Sequence, residues 1–308
     1  MIVNRPEPTD FEKQSIEYLV QFFNLIFEKE ETWESMDDEN YYDELWSYHQ
    51  GILKNALTLL FLALENQLKY KICTVSPLLL LSDNPGDWKS IRRDKEFHDF
   101  HMRPFDDLLA LFLELGLGSM NEQVIQNLNN LRRTRNKIMH GVLSDKLTPT
   151  TLFKDFVLIV ENVWGCGKWW KQYKKYVTDE PLFGSYDTKM ELASLSHHIE
   201  FLIKILGGKS AGQVLDVDFS QRRYFCPFCY IYINVPADNY LYKHAILRPN
   251  VPNSSTLFCV VCDKEYEITR KTCWHGDCMG NVIHFLKNTP YSDSEICLTC
   301  GGWDPANI

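Results

Sequence analysis

The sequence predicts a mostly α protein, with an N-terminal helical bundle followed by a small β-rich domain built around paired cysteines. Three observations predict it. Apolar residues recur at helical spacing through much of residues 10–206. After about residue 220 the texture changes to short β-branched and aromatic runs such as YIYINV. Eight of the ten cysteines fall between Cys226 and Cys300, mostly in close pairs.

The totals set bounds. Of 308 residues, 45% are apolar and 24% charged, ordinary values for a chain that buries a core. A net charge of -9 excludes a molecule that attracts polyanions as a whole. Any nucleic-acid binding must use a local basic patch. The N-terminal MIVNRPEPTDFEKQ is polar and lacks the apolar region of a secretory signal. The longest apolar run, ALTLLFLAL at 56–64, is too short to span a bilayer. We therefore expect a soluble, cytoplasmic protein with no membrane partner.

The helices are expected in order. Residues 10–31 carry one apolar face, with Ile16, Leu19, Val20, Phe23 and Phe27. An acidic stretch up to Glu44 reads as a solvated connection. Residues 42–73 read as one long helix, apolar enough for the centre of a bundle. Residues 74–103 are irregular, punctuated by Pro77, Pro85 and Gly86. Pro104 opens a helix to about residue 115, and another runs over 120–140 until Gly141 stops it. Two more are expected at about 150–176 and 187–206. GGKSAG then reads as a linker. The division is a helical domain over 1–206, a linker over 207–222 and the cysteine domain over 223–308. KWWKQYKKY (168–176) interleaves cations and aromatics, a pattern that can grip single strands. The reading we favour is an amphipathic helix with its aromatics turned inward. Lone Cys73 and Cys166 read as buried hydrophobes, and His98, His101, His197 and His198 as structural or surface residues.

The paired cysteines carry the clearest chemistry. Cys226-x2-Cys229, Cys259-x2-Cys262, Cys273-x4-Cys278 and Cys297-x2-Cys300 have the spacing of metal knuckles. Two knuckles close a tetrahedral site with no open position, so two structural Zn(II) sites and no catalytic metal are expected. Consecutive pairing is favoured: Cys226, Cys229, Cys259 and Cys262, then Cys273, Cys278, Cys297 and Cys300. An interleaved pairing stays open, and His275 or, less readily, His284 can replace one cysteine. CPFC and CLTCGG resemble the turns of zinc ribbons. Residues 216–308 hold 10 acidic and 8 basic side chains, a net of -2 (8 − 10). Two four-thiolate sites add about -4 more. Contact with a protein suits this domain at least as well as contact with phosphate.

The helix over 120–140 contains an anomaly. Val124, Leu128, Leu131, Arg135 and Ile138 share one face, so a guanidinium sits inside an apolar stripe. Arginine cannot shed its proton, and burying it without a partner is costly. Either a carboxylate such as Glu65 meets it, or this face opens onto a site or an interface. Arg132, Asn136 and His140 follow one another at i, i+4 and i+8 on the flank. His140 ends the helix, where the dipole favours a cation.

Arg135-Asn136-Lys137-Ile138-Met139-His140 resembles the R-N-x-x-x-H motif of the HEPN superfamily, over a helical domain of residues 10–206. The resemblance implies a homodimer with two motifs in one cleft. It also implies a metal-independent endoribonuclease in which a ribose 2′-hydroxyl attacks the adjacent phosphate. His140 would act as general acid or base, Arg135 would stabilise phosphoryl charge, and Asn136 would position the phosphate or His140. RNA would be the substrate, because the 2′-hydroxyl reacts. By analogy with stand-alone members, the chain would be a toxin or anti-phage defence effector, restrained or triggered by a regulatory protein or a phage product. The alternative is a non-catalytic helical dimerisation module with a zinc-ribbon adaptor for protein or nucleic acid.

Overall fold

The computed structural model describes residues 2–34, 42–83, 94–179, 188–233, 243–289 and 292–304. The acidic stretch expected as a connection falls partly outside them, as does the end of YIYINV. The chain divides into two compact units, Met1–Tyr173 and Lys174–Ile308.

The first unit is helical. α1 (Pro8–Glu34) packs along α3 (Gln50–Cys73), which supplies the centre with Leu53, Leu57, Leu60, Leu64 and Leu68, each at most 1% exposed. Phe22 and Ile26 extend the buried face of α1 beyond the residues that periodicity singled out, while Phe27 is only half-buried. Ser15 Oγ donates to the carbonyl of Ala63 at 3.0 Å and ties the two helices together. The helix expected over 42–73 is two helices, α2 (Tyr42–Tyr48) and α3, separated at His49. Two contacts hold the break. Glu30, buried on α1, accepts from the Trp46 indole. Gln50 donates to the carbonyl of Leu147 and accepts from its N–H, each at 2.9 Å.

α4 (Phe105–Glu114) and α5 (Glu122–Met139) follow. Asn121 caps α5 by accepting from the N–H of Val124. α6 (Pro149–Ile159) starts with a capping box, in which Thr148 and Thr151 satisfy each other's backbone donors. The helix expected over 150–176 is interrupted: a π turn spans Val160–Trp164 and Gly165 takes φ 95°, before α7 (Lys168–Thr178) begins. Trp169, Trp170 and Tyr173 of α7 are at most 2% exposed and pack with Phe23, Phe153 and Phe156. Three of the four aromatics of KWWKQYKKY are therefore core, as an amphipathic helix turned inward requires, and Tyr176 is half-buried. A two-residue parallel pair, β1 (Ile2–Val3) with β2 (Lys95–Glu96), joins the N-terminus to this unit.

The second unit begins within α7 and contains α8 (Thr188–Leu215). The segment expected as a linker is therefore helical through Leu215. Its glycines have structural uses: Gly207 takes φ 75° and kinks the helix. A side chain at Gly212 would strike the carbonyl of Val217, 2.4 Å from where a Cβ would lie. Residues 227–233 differ too. They form α9 (Pro227–Ile233), although the run YIYINV has strand composition. A local knuckle overrides that propensity: the N–H of Cys229 points at Cys226 Sγ at 3.5 Å, and Tyr230 N–H bonds the Cys226 carbonyl.

Two antiparallel three-stranded sheets complete the unit. β3 (Ala245–Leu247), β4 (Thr256–Cys259) and β5 (Lys264–Glu267) form one. β6 (Thr269–Arg270), β7 (Val282–Thr289) and β8 (Ser292–Cys297) form the other. Helices thus dominate the N-terminal part, and a small zinc-ribbon-like β region closes the chain. Among the described residues no helix is long and apolar enough to cross a membrane.

Two histidines of this unit are buried. Burial, and secondarily His197, push His198 down to about 3. Burial, with Arg223 and His197 nearby, does the same to His244, also to about 3. An unfolded histidine binds its proton below about 6.5. The folded groups bind theirs only near 3, so the unfolded state holds more protons throughout that window. Stability should therefore fall as pH is lowered from about 6.5 towards 3, by on the order of 3–5 kcal/mol per histidine. Urea midpoints against pH check this, and His198→Leu should flatten the slope by about one proton. Equal slopes for the two proteins would contradict the assignment.

Candidate active site and metal centres

The two metal centres are the more sharply defined features. The four Sγ atoms of Cys226, Cys229, Cys259 and Cys262 lie within 4.8 Å of one another, as do those of Cys273, Cys278, Cys297 and Cys300. The structure therefore groups consecutive knuckles, not interleaved ones. Each sheet builds one end of its site. β4 and β5 meet at the hairpin carrying Cys259 and Cys262, against α9 with Cys229. In the second, Cys297 ends β8 opposite Ile283 on β7, and Cys273 packs with both.

The geometry tests whether a metal fits. A tetrahedron of sulfurs about 2.3 Å from Zn(II) has S···S edges of about 3.8 Å. The observed contacts are 3.6 Å for Cys226–Cys262, 3.8 Å for Cys229–Cys259, 3.7 Å for Cys273–Cys300 and 3.9 Å for Cys278–Cys297. A disulfide needs about 2.05 Å, so these are not disulfides. Backbone N–H groups point at the sulfurs from His275 to Cys273 (3.4 Å) and from Gly280 to Cys278 (3.3 Å). Such donors favour thiolates. Burial pushes the Cys259 thiol up, and a divalent cation would supply the charge that lets it ionise. The donor set therefore fits a closed, structural metal site twice over.

Neither group includes a histidine. The His275 ring lies against Gly302, where a Cβ would come within 2.1 Å of Nε2. His284 Nδ1 hydrogen-bonds the carbonyl of Glu267 at 2.7 Å. The centres differ in burial: Cys226, Cys229 and Cys259 are buried, whereas Cys300 is exposed.

The motif residues share the end of α5. Leu128 and Leu131 are buried, but the apolar stripe ends there: Ile138 is half-buried, and Val142 lies beyond the helix at 66% exposure. Arg135 is half-buried. Its guanidinium lies over the Phe61 ring at 5.4 Å, and Nη1 donates to Asn136 Oδ1 at 3.2 Å. Glu65 does not meet it. That carboxylate pairs with Lys69 at 2.6 Å, and among the described residues no salt bridge reaches Arg135. Its Nε is buried with no hydrogen-bond partner among those residues.

His140 is the C-cap, with its N–H bonded to the Asn136 carbonyl and its side chain exposed. Gly141 follows with φ 69°, the left-handed turn that ends a helix. Arg135, Asn136 and His140 thus lie within about two turns on one helix end. Arg132 stands one turn earlier than Asn136 and pairs with Asp106 at 2.8 Å. That carboxylate, on α4, carries no signal in the sequence, because the contact is tertiary. Met139 is also exposed, at 60%, beside the histidine. Comparison of the chain with protein-family models, with curated proteins and with solved structures finds no match.

Proposed function

We propose that this protein is a metal-independent endoribonuclease of HEPN type whose site is the C-terminal end of α5. The observation that carries the reading is Arg135. It is a half-buried guanidinium with no carboxylate in range among the described residues, oriented by Asn136. A permanent cation in an apolar setting without a counter-ion is costly. An anionic substrate would relieve that cost. His140, exposed at the helix end, is accessible for proton transfer. In this reading the 2′-hydroxyl of RNA attacks the neighbouring phosphate. His140 moves the proton, Arg135 holds the phosphoryl oxygens, and Asn136 fixes the guanidinium. The products carry a 2′,3′-cyclic phosphate and a 5′-hydroxyl.

The exposed Met139 and Val142 beside His140 supply an apolar margin for a second subunit, as a composite dimeric site requires. The cysteine centres would each hold structural Zn(II), with the first set from Cys226 to Cys262 and the second from Cys273 to Cys300. Zinc would replace core that two small sheets cannot build alone. A role in antiviral defence or as a toxin in the cytoplasm, under control of a regulatory protein or a phage product, rests on the resemblance of the motif.

The test uses purified protein with total RNA and tRNA. Free Mg2+ is removed by EDTA, and zinc content is checked to show that the thiolate centres are retained. Cleavage by the wild type and none by His140→Ala supports the reading. Equal cleavage by both assigns the activity elsewhere. No cleavage by a dimeric, zinc-loaded wild type favours the alternative, a dimerisation module with a zinc-ribbon adaptor.

A further inference from the structure

We propose that Arg132 holds the RNA phosphate next to the one that is cleaved, with Asp106 as its positioning residue. The inference rests on the reading of Arg135, Asn136 and His140 as a ribonuclease site.

Arg132 and Arg135 are one turn apart on α5, a separation that places their Cβ atoms about 5–6 Å apart. Both carry a buried Nε without a hydrogen-bond partner among the described residues. Among the described residues, Asp106 is the carboxylate that pairs with either of them. Asp106 pairs with Arg132 at 2.8 Å, while Asp107 is engaged by Arg103 at 3.7 Å. Arg135 is left to a ring and an amide. Of these two guanidiniums, Arg132 has the carboxylate and Arg135 has none among the described residues, which leaves one positive charge of the pair without a counter-ion. A single phosphate at Arg135 would neutralise it. A second phosphate at Arg132 needs free donors, and the geometry supplies them. The Asp106 contact is made through Nη1, and a guanidinium offers five N–H donors in a planar fork. Asp106 is itself held in place, because it lies in the first turn of α4, where the helix dipole favours a carboxylate.

The line Arg132, Asn136, His140 advances about 6 Å along the helix at each step. A polyanion with one charge per nucleotide, laid along this edge with its scissile phosphate at Arg135 and His140, presents its neighbouring phosphate towards Arg132. Asp106 then does two things. It keeps the guanidinium extended at the surface, and its negative charge disfavours binding of a lone inorganic anion relative to a chain of phosphates. Arg132 is thereby a determinant of substrate length.

Substrate length provides the test. The full-length protein is assayed on a dinucleotide, which has one phosphate, and on a trinucleotide, which has two. Arg132→Ala should lower kcat/KM on the trinucleotide about tenfold, chiefly through KM, and much less on the dinucleotide. Arg132→Lys should recover part of the loss. In the His140→Ala background, Arg132→Ala should reduce the salt slope of binding to a 2′-O-methyl trinucleotide by about one. Asp106→Asn, which keeps the shape and an acceptor for the guanidinium but removes the charge, should strengthen competitive inhibition by inorganic phosphate; thermal melts show whether each variant is folded. Equal losses on both substrates, or an unchanged salt slope, would overturn the role of Arg132. If wild type and His140→Ala cleave the dinucleotide alike, the ribonuclease site itself is wrong and the inference falls with it.

Discussion

His140→Ala should abolish RNA cleavage, by about 10²–10⁴-fold, while leaving the melting temperature within a degree or two of wild type. The first half follows from chemistry: a positioned acid or base typically contributes that factor. The second half follows from placement. His140 is an exposed C-cap whose backbone, not its ring, completes the helix end. Exposed substitutions away from special features change stability by only about 0.5 kcal/mol. RNA affinity should persist, because Arg135 and Arg132 are untouched. Arg135→Lys separates the roles further. It keeps the charge over Phe61 but loses the planar fork, so it should lower kcat about as far as a lost oxyanion donor does, roughly 10²-fold. A His140→Ala protein that cleaves normally would show that the proton is moved elsewhere.

Removal of metal should unfold the cysteine domain. Structural zinc sites carry apparent binding free energies of about 10–16 kcal/mol, comparable to or above the 5–15 kcal/mol that holds a whole domain together. The shortness of the strands makes the metal centres a large share of what holds this region. β3, β4 and β5 are three or four residues long, and their sheet is closed by the knuckles at Cys226 and Cys259. Metal analysis should return about two zinc ions per chain. Titration with an organomercurial that captures thiolates should release both and expose residues 243–289 to protease. The two centres should differ. Cys259 is fully buried and Cys300 is exposed, so zinc should leave the Cys273–Cys300 set first. Cys259→Ser should cost the first site and Cys297→Ser the second. A fully reduced protein that holds no zinc and stays protease-resistant would contradict this account.

The sequence made some parts of this molecule legible and hid others, for definite reasons. The paired cysteines were readable because a metal knuckle is local: two residues between ligands fix the turn whatever surrounds it. The helices were readable from their apolar period. Their interruptions were not, because they depend on distant partners. The break at His49 is held by Gln50 reaching Leu147, 97 residues away, and Glu30 on another helix takes the Trp46 indole. GGKSAG looked like a linker because glycine commonly marks one. Here Gly212 admits the carbonyl of Val217 instead. YIYINV had strand composition, yet the Cys226 turn bends its described part into α9. At the candidate site, helical angles placed Arg135, Asn136 and His140 together without help. Glu65, a carboxylate in the middle of the long apolar helix, is the partner the sequence offers for Arg135, but Lys69, one turn along the same helix, holds it. Asp106 was invisible for the converse reason, since it reaches Arg132 from another helix.

The most direct test of the central claim is the chemistry of the cut ends. A trinucleotide and its counterpart with a single 2′-deoxyribose at the cleaved position are incubated with the zinc-loaded protein without free Mg2+, and the products are read by mass spectrometry. The account predicts a 2′,3′-cyclic phosphate and a 5′-hydroxyl from the first and no cleavage of the second. Cleavage of the deoxy-substituted strand, or a 5′-phosphate product, would contradict it.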